Sequence, residues 1–186
     1  MNMRVPMIVI AAFWICTFSA CKRSANKANV RTLDSLMEVT ENLLTEMNAM
    51  DRDPLHAIDS SYQMRKATLE MVMRDTLDKR SAIALGNYHG AMNKNMGYVN
   101  KNYEPLLKEL NTTRKQLTDL KYDVEQGALD PAVEAGYISK ESLVLSVVQQ
   151  NTLTLLSTAR SVIRDHARLA PTVDSILVRT DTLFNR

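Results

Sequence analysis

The chain has 186 residues, 45% of them from the AVILMFWYC set and 24% charged, which suits one domain with a core and excludes collagen-like and disordered chains. Five Gly and five Pro are too few for an all-β sandwich, which turns about every 8 to 12 residues. Lys and Arg number 23 against 21 Asp and Glu, the signs are interleaved, and no basic run exceeds Lys22-Arg23, so no nucleic-acid partner is expected.

At the N-terminus Arg4 precedes an apolar stretch from Met7 to Phe18, and the small residues Ser19 and Ala20 come before Cys21. This is the plan of a secretory signal, and the stretch is short for a spanning helix. The tetrapeptide Phe18-Ser19-Ala20-Cys21 resembles the lipobox of bacterial lipoproteins, in which a dedicated peptidase cuts before a cysteine that already carries diacylglycerol. It departs from the commonest pattern in having Phe18 where Leu is usual and only one basic residue ahead of the apolar run.

The resemblance implies that residues 1–20 are a signal peptide and that Cys21 is the lipidation site, carrying fatty acyl chains such as palmitate. It also implies that Lys22, which is not acidic, permits transfer to the periplasmic face of the outer membrane. The membrane is thus an expected partner, through a lipid anchor to which each buried methylene adds about 0.8 kcal/mol. Cys16 would leave with the signal and Cys21 would be acylated, so the mature domain would rely on packing without disulfides.

Residues 21–30 read as the lipidated cysteine and a short tether, because Lys22 to Val30 lacks large side chains, and residues 31–186 read as a single domain. In the first segment Leu33, Leu36, Thr40, Leu43, Met47 and Met50 recur at alternating steps of three and four, which predicts a helix over 31–51. Asp53-Pro54 offers a capping carboxylate and a first-turn proline for a second helix with Leu55, Ile58, Tyr62, Leu69 and Val72 on its stripe, expected to bend in the charged stretch Arg74 to Arg80. Within that stretch Asp75, Asp78, Lys79 and Arg80 read as a solvated face.

Gly86 to Asn102 is compositionally odd, with three Gly, five Asn, His89, Met92 and Met96 in 17 residues, and it is expected as either helix or loop. Tyr103, Leu106, Leu110, Thr113, Leu117, Leu120 and Val124 resume the rhythm, and Gly127 is expected to end that helix. Asp130-Pro131 starts the longest stripe, from Ile138 through Glu141, Leu145, Val148, Thr152, Leu155, Ala159 and Val162 to His166 and Leu169. Pro105 and Pro171 are expected to start or kink helices, and a last short piece carries Val173, Ile176, Thr180 and Leu183. About five segments result. The fold class is all-α, an elongated antiparallel helical bundle with coiled-coil-like packing.

Chemistry is weakly marked. On a helix His89, Met92 and Met96 would place an imidazole and two thioethers on one face, a soft donor set suited to Cu(I), or alternatively extend the apolar seam from Leu85 to Val99. His166 falls on a seam, as an axial haem ligand would, or near a helix C-terminus where an imidazole suits the dipole. Asp51, Asp53 and His56 show an Asp-x-x-His spacing that helix capping also explains. No zinc helix, di-iron pair, nucleophile elbow or phosphate loop is present, so no catalytic residue is identified and no cofactor is implied.

The expectation is therefore a membrane-tethered module that contacts another envelope protein, with Thr113 and Thr152 as candidate register-setting seam positions if exposed. The alternative is a ligand-binding or copper-handling bundle centred on His89, Met92 and Met96. Heptads also permit self-association.

Overall fold

A computed structural model describes residues 26–74 and 77–184, with side chains as far as Thr180. Cys21, Asp75 and the side chain of Leu183 lie outside the described residues. The described chain is all helix and turn, with no strand: α1 (Lys27–Asn48), α2 (Asp53–Val72), α3 (Lys79–Gly90), a π-helical turn (Ala91–Met96), α4 (Gly97–Gln126) and α5 (Pro131–Phe184). Because α3, the π-turn and α4 follow one another without a break, these elements make four helices.

Their order gives three legs of one bundle. The first leg is α1 followed in line by α2, the second returns from Lys79 to Gln126, and the third is the 54-residue α5. At 1.5 Å per residue α5 alone spans about 80 Å, so the molecule is a rod. The lower half of the rod packs α1 against α4 and the first part of α5. The upper half packs α2 against α3, the π-turn and the last part of α5.

Each end of each leg has a local cause. α1 starts at Lys27, capped by the Asn26 side chain, which accepts from the Ala28 N–H; the tether is therefore shorter than its small side chains suggested. Between α1 and α2 the chain breaks over Ala49 to Arg52, and Pro54 fixes the restart. Asp53 is the first helical residue and not the cap; the cap position is Arg52, which makes no side-chain capping bond, and the Asp51 carboxylate accepts the Asp53 N–H.

α2 ends at Val72 rather than bending, and α3 begins after Asp78, whose carboxylate accepts the N–H groups of Arg80 and Ser81 at 3.0 Å. The Ser81 hydroxyl, followed by those backbone bonds, holds the Asp78 carboxyl below its ordinary pKa. Asp78 is thus a helix cap and not merely part of a solvated face. Gly127, at φ 64°, ends α4 in the left-handed region that glycine enters without steric cost, and Asp130 caps α5 by accepting from Ala132.

Neither Pro105 nor Pro171 stops or starts a helix. Proline removes one N–H and crowds the carbonyl four residues earlier, but Pro105, Pro171, Lys101 and Ala167 are all exposed residues, so each missing bond falls on the wet side of its helix, where it costs least. The segment after Pro171 is accordingly the continuation of α5, not a separate piece packing back.

The π-turn answers a slip in the apolar seam. Along the second leg the buried positions are Leu85, Tyr88, Met92, Met96, Val99 and Tyr103, so a step of four follows a step of four where the alternation asks for three. One residue too many would swing every later seam position away from the core. The π-turn between Ala91 and Met96 takes up the excess and returns Val99 to the seam.

The core is a chain of three apolar clusters. At the base lie Leu33, Leu117, Leu120, Val124 and Ile138; in the middle Leu43, Met47, Leu106, Leu110, Leu145, Val148 and Leu155; at the top Leu55, Ile58, Leu69, Leu85, Met92, Met96, Val162 and Val173 with two tyrosines. Thr40, Thr113 and Thr152 are buried seam residues, so Thr113 and Thr152 are not exposed. Thr40 donates to its own Leu36 carbonyl at 2.9 Å, while the Thr152 hydroxyl has no partner. On the wet flanks Asp34–Lys121 at 2.5 Å, Glu41–Arg114 at 3.8 Å and Glu46–Arg160 at 3.6 Å tie neighbouring legs in register.

Candidate functional site

Two features mark the region around the π-turn: tyrosine and histidine paired across helices on its inner side, and a groove on its outer side. On the inner side Tyr62 of α2 and Tyr88 of α3 are 1% and 0% exposed and meet edge to face at 6.3 Å between ring centres. Both carry a hydroxyl that must be satisfied when buried. The Tyr62 hydroxyl lies 3.0 Å from Nδ1 of His89, and the Tyr88 hydroxyl 3.2 Å from Nδ1 of His166. Arg65 and Asp174 form an ion pair beside them that joins α2 to α5.

Burial favours the neutral form of the Tyr88–His166 pair. Burial raises the pKa of both phenols, helped at Tyr62 by Glu70. Burial also lowers the pKa of His166, followed by the Arg65 cation, with Asp174 opposing them. Tyr88 therefore keeps its proton, and its hydroxyl and Nδ1 of a neutral His166 share one hydrogen bond. The pair satisfies two buried polar groups without a charge.

The structure divides the His89, Met92 and Met96 set. Met92 and Met96 are 1% and 2% exposed and sit in the upper apolar cluster, which extends the seam, whereas half-buried His89 is engaged by Tyr62. His166 is in the middle of α5, far from the C-terminus the sequence suggested for it, because the helix runs on to Phe184. Among the described residues no three His, Cys, Asp or Glu side chains stand close enough to share a metal ion, and Asp51, Asp53 and His56 make no such set. The tyrosine partners of the two histidines were not evident from spacing alone. Tyr88 does occupy the seam position between Leu85 and Met92, which was the available signal.

The outer side of the same turn forms a groove of about 670 Å³ between the second and third legs. Its walls are Asn93, Lys94, Asn95, Gly97, Tyr98, Lys101 and Asn102 on one side and Thr154 and Thr158 of α5 on the other. A smaller groove of about 300 Å³ lies at the α1–α2 break, lined by Glu46, Met50, Asp51, Arg160 and Ile163 among others. The abundance of Asn in Gly86 to Asn102 was the sequence trace of the larger groove. What spacing could not tell was that the extra residue of the π-turn sends this amide-rich face outward while the methionines stay inside.

Comparison of the chain with protein-family models, with curated proteins and with solved structures gives no match.

Proposed function

We propose that the chain is a bacterial envelope lipoprotein, held by lipid on Cys21 at the periplasmic face of the outer membrane, whose helical rod is a tethered interaction or assembly module for another envelope protein. The observation that carries this reading is the lipobox-like Phe18-Ser19-Ala20-Cys21 set only a few residues ahead of α1, whose first residue is Lys27. Six residues of chain reach about 20 Å at most, so a lipid on Cys21 would hold the base of the rod close to the bilayer. No described helix is long and apolar enough to cross a membrane, which leaves the acyl chains as the means of attachment in this reading.

The rod supports the second half of the proposal. Two helices running from base to top give a stiff, extended support, and side chains along its outer faces are then offered at distances up to about 80 Å from the anchored end. The copper-handling reading draws less support, because Met92 and Met96 pack in the core and His89 has a phenol partner.

Fractionation of cells carrying Cys21→Ser tests the anchor: the protein should move from membranes to the soluble fraction, and continued retention would contradict it. Crosslinking in intact cells tests the partner. One envelope protein should be recovered in excess, whereas a random sample of abundant neighbours would contradict an interaction role.

A further inference from the structure

The groove outside the π-turn has a chemistry that the interaction reading does not use. Lys94 and Lys101 stand on its second-leg wall, and no Asp or Glu lines it. Among the described residues neither lysine forms an ion pair, although cross-leg pairs are distributed along the rod. Two uncompensated cations in one concave surface favour an anion there.

The remaining wall groups narrow the class. Asn93 and Asn95 lie on the π-turn and Asn102 about one and a half turns beyond it; the Asn93 side-chain oxygen accepts from Lys66 and the Asn102 amide donates to the Tyr98 carbonyl, so Asn93 offers its donor, Asn102 its acceptor and Asn95 both. A side-chain amide presents a donor and an acceptor together, which matches neighbouring hydroxyls on a sugar ring. Half-buried Tyr98 supplies an aromatic wall for the apolar C–H face of such a ring. The volume, about 670 Å³, falls within the usual span of small-ligand sites, about 300–1,000 Å³. The turn that builds the wall is of a kind found frequently at functional sites.

From this convergence we infer that the groove binds an acidic saccharide, with Lys94 and Lys101 meeting a carboxylate and Asn93, Asn95 and Asn102 meeting ring hydroxyls. The inference concerns this surface alone and stands whether or not Cys21 is lipidated.

The geometry provides a variant that fills the groove without straining the fold. A Cβ added at Gly97 meets nothing within 4 Å, so Gly97→Gln places a side chain in open groove space on a helix that gains from losing glycine. Amide NMR spectra of the full-length protein in detergent would be followed while tetraglucuronic acid, neutral chitotetraose or acetate is added. Tetraglucuronic acid should shift the signals of residues 93–102, 154 and 158, with an affinity that falls as salt is raised. The Lys94→Gln/Lys101→Gln double variant should weaken it about tenfold, as expected for two exposed charge contacts. Gly97→Gln should weaken it with helical content retained, and Lys115→Gln, which removes a charge elsewhere on α4, should leave it unchanged. Three results would each overturn the inference: no shift with tetraglucuronic acid, equal binding of chitotetraose with the lysine variants unaffected, or acetate matching the tetrasaccharide.

Discussion

The lower and upper halves of the rod share two helices yet solve the packing problem differently. Below the α1–α2 break the core is mainly aliphatic, with Met47 and one tyrosine, Tyr103, whose hydroxyl donates to the Met47 backbone carbonyl; the seam keeps its alternation of three and four, and ion pairs such as Asp34–Lys121 and Glu41–Arg114 mark its flanks. Above the break the core admits two tyrosines, two methionines and the flank of two histidines, and its second leg needs a π-turn to stay in phase. All three histidines of the chain, His56, His89 and His166, belong to the upper half. The lesson is that the regular seam buries isolated polar groups such as Thr40, Thr113 and Thr152, whereas tyrosine and histidine pair side chain to side chain where the seam slips.

The comparison can be broken most forcefully in the lower core. Leu110 is fully buried there, so Leu110→Ala should cost about 2–5 kcal/mol, read as a lower denaturant midpoint with unchanged slope. In the upper half Tyr88→Phe removes only a hydroxyl but leaves Nδ1 of His166 without its partner, and about 1 kcal/mol of stability should be lost. A loss equal to that of Leu110→Ala would mean that hydrogen bonding, rather than apolar packing, holds the upper half.

A gain of similar size is expected where the lower core carries an unpaired polar atom. The Thr152 hydroxyl is buried with no partner, and Thr152→Val keeps the shape while removing the desolvated group, so stability should rise by about 1 kcal/mol. Destabilisation on urea unfolding would show that this hydroxyl is satisfied in solution.

The smallest effect is a dependence on pH confined to the upper half. The pKa of folded His166 lies below its ordinary 6.5, so near and below that value the unfolded chain takes up a proton that the folded chain resists. Stability should therefore be fully present above 6.5 and fall as pH drops through the folded value. His166→Gln should flatten that slope, and a slope unchanged by the substitution would remove His166 as its source.

Much of the fold was legible because amphipathic periodicity is a direct consequence of helix geometry: Leu33 to Met47 and Leu106 to Val124 lie on the seams their spacing predicted. The stops were less legible. Pro171 was expected to end or kink α5, but a proline on the wet face loses its bond where that costs least, and sequence spacing alone does not show where a carbonyl points. At α2 the cap position is Arg52, without a side-chain bond, and Asp53 is already the first helical residue, while Asp51 accepts the Asp53 N–H; several nearby carboxylates suit one N-terminus and only backbone geometry chooses between them.

The candidate site was legible in composition and hidden in arrangement. Glycine, asparagine, His89 and the two methionines marked Gly86 to Asn102 as unusual, yet a plain helix would have put His89, Met92 and Met96 on one face. The step from Met92 to Met96 held the clue, because a second consecutive step of four requires either a displaced seam or a widened turn. The Tyr88–His166 pairing joins residues on different legs and has no local signal in the sequence.

The central claim is that two helices run the length of the molecule, with α5 unbroken past Pro171, while the first leg alone is divided. Spin labels at exposed positions 139 and 175 of α5, in the full chain with Cys16→Ser and Cys21→Ser, test this by pulsed electron resonance. The account predicts one narrow distance of about 54 Å, the rise of 36 helical residues. A broad distribution, or a distance of about 42 Å, the rise of the 32 residues to Pro171 less that of the four that return, would mean that the chain turns back at Pro171 and would contradict it.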